Sequence, residues 1–196
     1  MEFVNLTPFP GLHQEHARSY KVAAGAEMQA GSLTLGWKIT AVNATALDEI
    51  VLAEPKERGV RRDGLWKETC FEAFLPHAGS DAYLEFNGAA SGDWNCYSFR
   101  TYREGMNPVP VNGASPPRIL SMTRSAKEIE LRYSLPMAVV KQGFFSLGLG
   151  SIDFDAIGLT LVLNCRSATT YWALSHDGVK PDFHLRSSHT YDSFRN

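Results

Sequence analysis

The sequence predicts an all-β protein, an antiparallel sandwich or jelly roll with one short helix, from three observations. Apolar and polar residues alternate over many short segments, as half-buried strands require. Turn residues separate almost every pair of segments, for instance at 76–79 and at 90–93 (Ala-Ser-Gly-Asp). Helical periodicity is nearly absent. Many short strands with frequent turns bury their apolar faces sheet against sheet.

In chain order, Leu33, Leu35, Trp37 and Ile39 alternate with Thr34, Gly36, Lys38 and Thr40, a strand. Residues 50–52 suggest another. Residues 54–64 (EPKERGVRRDG) mix both charges with Pro and Gly and read as a solvated loop. Residues 69–75 alternate as a strand, and if it runs from Trp66, then Trp66, Glu68, Cys70, Glu72 and Phe74 share one face and Phe71, Ala73 and Leu75 the other. A hairpin across 76–82 would set Tyr83, Glu85 and Asn87 beside that acidic face. It would also send Leu84 and Phe86 to the core. Residues 94–99 form a further strand, and 105–117, with Pro108, Pro110, Pro116 and Pro117, a loop. Residues 128–135 alternate again. Ser134 as a cap and Pro136 in the first turn place the helix at 136–141. Segments 144–149, 159–164 and 171–174 complete the strands.

The chain of 196 residues carries no repeat and no low-complexity run, so 1–196 reads as a single domain with a real core. Its 44% hydrophobic content and net charge of -2 exclude intrinsic disorder and argue against a nucleic-acid partner. No apolar run approaches the ~18–20 residues that span a bilayer, so no membrane partner is expected. Residues 1–8 lack the basic and apolar regions of a secretory signal. Cys70, Cys96 and Cys165 are odd in number and lack CxxC spacing. They read as free, mostly buried thiols of a cytoplasmic protein.

Chemistry concentrates in residues 65–106. Alternating Glu residues are common on solvated strands, so spacing by itself favours an ordinary polar face. A face combining acids, an amide and aromatic rings nevertheless suits sugars: rings stack on a pyranose while carboxylates and amides bond its hydroxyls. Glu68, Glu72 and Glu85 are the acids from which a glycosidase pair would be drawn. Near the C-terminus, His176, Asp182 and His184 are donors of the metal-ligand type, although a structural loop explains them as well. His184 and His189 match no helical metal motif. No GxSxG elbow or phosphate-cradling glycine motif occurs.

The ordered series LWKETCFEAFL (65–75), YLEFN (83–87), SGDW (91–94), YREGM (102–106), YWALSH (171–176) and KPDFH (180–184) resembles the bacterial DOMON-like proteins, relatives of type 9 carbohydrate-binding modules. The likeness spans roughly residues 30 to 194. It departs at Gly88-Ala89-Ala90, where the family more often has an aromatic residue and a proline. The resemblance implies a β-sandwich of jelly-roll type and a non-catalytic domain binding a saccharide or related polyol.

The expected ligand site comprises Trp66, Glu68, Glu85, Asn87, Trp94, Arg100, Trp172 and His176, with Arg100 or Arg103 pairing an acid. No catalytic residue, metal site or resident cofactor is expected. The alternatives are a glycan-acting or metal-dependent hydrolase, a divalent metal at His176, Asp182 and His184, and haem. Haem-binding relatives use Met and His axially, for which Met106 and His176 would serve. An interaction module docking by a sheet edge is the third reading.

Overall fold

A computed structural model describes residues 1–154 and 156–192. The chain opens with β1 (Val4–Pro8), a short α1 (Gln14–Ala17), and the long hairpin of β2 (Tyr20–Gln29) and β3 (Ser32–Ala41). After α2 (Ala44–Asp48) comes the meander β4 (Cys70–Pro76), β5 (Tyr83–Gly88), β6 (Trp94–Phe99) and β7 (Asn107–Pro108). A second hairpin, β8 (Arg118–Arg124) with β9 (Glu128–Pro136), leads into α3 (Met137–Ser146). A third, β10 (Gly158–Asn164) with β11 (Thr169–Ala173), completes the strands.

The named strands pair antiparallel throughout and form one 11-stranded sheet in the order β7-β6-β5-β4-β10-β11-β1-β2-β3-β9-β8. The sheet curls at β1. There Leu6 pairs with Val22 of β2 while Thr7 pairs with Ala173 of β11. The halves on either side of β1 face each other across the main core. Leu33, Leu35, Trp37 and Ile39 of β3 meet Phe71, Ala73 and Leu75 of β4 and Leu159 and Leu161 of β10. Trp37 lies edge-on to Phe71, with centroids 5.6 Å apart, and its indole N–H donates to the Thr160 carbonyl at 2.9 Å. Burying so many apolar side chains is the main stabilisation, at about 25 cal/mol per Å² of apolar surface.

Tyr133 of β9 makes a second crossing, donating its hydroxyl to the Ala89 carbonyl at 2.6 Å. Gly88 makes room for its ring: a Cβ there would stand 2.8 Å from a ring carbon. A larger residue at 88 would collide with this buried crossing, which accounts for the glycine there.

The all-β expectation holds, with differences in detail. The helix extends through Ser146, so Phe144 and Phe145 lie in α3 rather than in a strand at 144–149. A short apolar run fits a buried strand or a buried helix turn equally well. Residues 50–52 contribute one isolated bridge, Ile50 to Cys165. The strand at 69–75 begins at Cys70, and its extension back to Trp66 does not form. Gly64 adopts φ 76°, and a 3₁₀ turn at Leu65–Lys67 follows. Strands β1, β2 and β8 carried no alternation strong enough to be read. Edge strand β8 buries none of its residues. The three cysteines are buried and free. Among the described residues, no helix is long and apolar enough to cross a membrane.

Candidate ligand-binding site

Strand alternation gives the half containing β4–β6, β10 and β11 a second face, turned away from the main core. Cys70 and Phe74 of β4, Tyr83 of β5, Tyr97 and Phe99 of β6, and Val162 of β10 build a smaller apolar cluster there. Glu72, Glu85 and Asn87 stand on this same face. Glu72 lies opposite Asn87, and Phe74 lies opposite Glu85, so the two acids are diagonal neighbours on adjacent strands. A pocket of about 370 Å³ opens above them. Trp66, Phe99, Tyr171 and Phe183 wall it, with Arg103 and His184 at the rim.

The floor is electrostatically costly. Glu72 is 2% exposed and Glu85 5%. Glu72 Oε2 accepts a long bond from the Thr160 hydroxyl at 3.4 Å, but Oε1 has no partner. Glu85 Oε1 accepts from the Asn87 amide at 2.6 Å. The Cys70 thiol, a weak donor, points to Asn87 Oδ1 at 3.5 Å and lies beside Glu72. Burial, and then the charge of Glu85, hold the Glu72 carboxyl well above its ordinary value. Burial pushes Glu85 up to about 7, opposed by the Asn87 bond and the Arg103 charge.

The rim is clasped from two directions. The Arg103 N–H donates to the Tyr83 oxygen at 3.1 Å, and the Tyr83 oxygen lies 2.7 Å from His184 Nδ1. Burial pushes His184 down to about 4, helped by the Arg103 charge. Asp182 accepts from the Tyr102 hydroxyl, from Arg103 Nη2 at 2.8 Å and from the His184 N–H at 3.1 Å. These bonds join the turn after β6 to the loop after β11. Arg103 occupies φ 57°, a backbone strain held in place by these contacts. His189 stacks on Phe74, at 5.3 Å and 17°, directly over Gly158.

The expected site residues divide into three groups. Trp66 and Glu85 line the pocket, and Asn87 sits beneath it as the donor to Glu85. Trp66 is 39% exposed and rests edge-on against Tyr97, at 5.8 Å. Tyr97 in turn donates to Asp63 Oδ1 at 2.7 Å. Glu68 stands outside the lining. It accepts from both terminal nitrogens of Arg62 at 2.8 Å, and this bond holds its carboxyl low.

Trp94 and Trp172 point into the main core. Alternation sends their neighbours Asn95 and Tyr171 to the pocket face instead. Arg100 is exposed, with its side chain packed against Gly105. His176 lies outside the lining; its Nε2 is 2.8 Å from the Thr7 carbonyl. Met106 lines the pocket and His176 does not, so the two do not fit as an axial pair for one haem. Among the described residues, no three His, Cys, Asp or Glu side chains are grouped to hold a metal ion. Sequence reasoning did not place Phe183, Tyr171 or the Tyr83–His184 pairing. Only the one-residue alternation of Tyr171 with Trp172 carried a readable signal.

A larger groove of about 880 Å³ lies between residues 52–59 and β8. Its cations are partly spent, Lys56 on Asp93 at 2.6 Å and Arg124 on Asp48 at 2.7 Å. None of its lining side chains has a buried polar atom without a partner. The smaller pocket, with its unsatisfied Glu72 carboxyl oxygen, is the better candidate.

No protein-family model matches the chain, and no curated protein matches it. A crystal structure of a "putative carbohydrate-binding protein" from Bacteroides uniformis ATCC 8492 is similar in fold, with a TM-score of 0.64 and 16% sequence identity. The similarity covers 97% of this chain and 84% of that one. At that identity, what the two chains share is the fold.

Proposed function

We propose that this chain is a single, non-catalytic binding domain of the DOMON-like kind, a jelly-roll-type sandwich that takes a saccharide or related polyol in the pocket above Glu72 and Glu85. The observation that carries this reading is the pairing of aromatic walls with a buried Glu72 carboxyl oxygen that lacks a well-formed protein partner. A hydroxyl-bearing ring supplies both an apolar face for Trp66 and a donor for the floor. The volume of about 370 Å³ is at the low end of small-molecule sites, which run from about 300 to 1,000 Å³. It suits one or two rings. The fold shared with the Bacteroides protein supports the same direction.

A glycosidase needs its two carboxyls on opposite sides of the scissile bond. Glu72 and Glu85 are diagonal neighbours on adjacent strands, a spacing that a carboxylate pair could also use, so turnover is tested alongside binding. The test is calorimetric titration with mono- and disaccharides, on wild type and on Trp66→Ala. Binding weakened about tenfold or more by the substitution, with the melting temperature unchanged, supports the reading. Absence of saccharide binding overturns it. Turnover of a glycoside, abolished by Glu72→Gln and by Glu85→Gln, would replace it with the hydrolase.

A further inference from the structure

The pocket floor holds two buried carboxyl groups and no cation committed to them. Arg103, the cation among the lining residues, donates to Asp182 at 2.8 Å. His184 is neutral and reaches Glu85 Oε2 only at 3.9 Å. The remaining polar groups around the pair, Cys70, Asn87 and Thr160, bring no positive charge. Phe74, Phe99, Tyr171 and Phe183 present ring surface around it. Ring faces attract a cation, and buried carboxylates are costly until one arrives.

We propose that the natural ligand carries a protonated amine, seated between Glu72 and Glu85 among these rings. Under the saccharide reading above, on which this rests for the sugar ring, the ligand is an amino sugar. An ammonium offers three donors, enough to satisfy Glu72 Oε1 and Glu85 Oε2 together. A neutral hydroxyl offers one. Before binding, the carboxyl pair keeps a proton because two adjacent buried negative charges are unfavourable. The arriving ammonium favours the ionised form, so that proton leaves to solvent on binding.

The experiment is titration calorimetry at pH 7 with glucosamine, glucose, N-acetylglucosamine and methylammonium, each in two buffers of different ionisation enthalpy. The expected result is glucosamine at least tenfold tighter than glucose, with N-acetylglucosamine showing no such advantage and, among the sugars, proton release seen for glucosamine alone. In Glu72→Gln, and separately in Glu85→Gln, the preference for glucosamine should shrink to within about twofold, with folding checked by melting temperature. Equal affinity for glucose and glucosamine overturns the amine and leaves the saccharide reading standing. Binding of methylammonium without any sugar supports the amine and overturns the saccharide. No binding by any of the four overturns both.

Discussion

His184 Nε2 stands 3.9 Å from Glu85 Oε2, too far for a direct hydrogen bond and close enough for one ligand atom or water to share. Both groups are buried, and burial drives each toward its neutral form. Each is thereby pushed toward its uncharged form until something enters the pocket.

Glu85 should therefore cost stability as pH rises. Its folded carboxyl sits at about 7 against an ordinary 4.5, so the folded state binds the proton more tightly. Stability is full below the unfolded value and is lost as pH rises through about 7. Glu85→Gln should remove that loss, raising unfolding free energy at pH 8 by on the order of 2–3 kcal/mol and changing it little near pH 4. Urea melts of both proteins at the two pH values check this. A variant less stable than wild type at pH 8 would contradict it.

The histidines act with the opposite sign. His184 and His189 are each held near 4 by burial, against an ordinary 6.5. Their contribution is present above 6.5 and is lost as pH falls through about 4, because the unfolded chain takes up protons that the folded one refuses. Proton NMR titration of the imidazole Cε1–H signals should show these two rings unprotonated down to about pH 5. A midpoint near 6.5 for either ring would show that its burial is incomplete.

Gly158→Ala should dislodge the loop that covers the site. The new Cβ would lie 2.3 Å from His189 Cδ2, and the ring cannot retreat because Phe74 is stacked on it. Overpacking of this kind costs about 1–3 kcal/mol. The double variant with His189→Ala should recover part of the loss, since the second change removes the obstacle. Additive losses in a double-mutant cycle would show that the clash is relieved elsewhere.

Trp37→Phe isolates one buried hydrogen bond. It leaves the Thr160 carbonyl without its indole donor in the interior, a penalty of about 1–3 kcal/mol before any loss of packing. Chemical denaturation should show a lower midpoint at unchanged denaturant dependence. A stability within 0.5 kcal/mol of wild type, on the scale of about ±0.5 kcal/mol typical of surface changes, would mean that another donor takes the carbonyl.

The faces of β4 and β5 were legible because a strand has a period of two and no other freedom. Cys70, Glu72 and Phe74 do share one face with Tyr83, Glu85 and Asn87. The same arithmetic, carried through β6 and β11, would have sent Trp94 and Trp172 to the core and brought Tyr171 forward. Trp66 escaped the strand because Gly64 turns the chain before it, and a single glycine does not announce a 3₁₀ turn. His184 was not legible as a wall of the site. It arrives from a long loop whose course is set by Asp182 meeting Tyr102 and Arg103, contacts far apart in sequence.

The seam at β1 also bears on how the chain reaches this state. The hairpins β2–β3, β8–β9 and β10–β11 and the meander β4–β5–β6 each join neighbours in sequence and can form locally. The pairing of Thr7 with Ala173 closes the curl only when nearly the whole chain is present, and such distant pairings are slow. During synthesis, β1 therefore waits with one edge bare, as β11 does on its arrival. An unpaired strand edge is an invitation to a neighbouring chain. Crowded, newly made copies would most readily exchange strands at this joint.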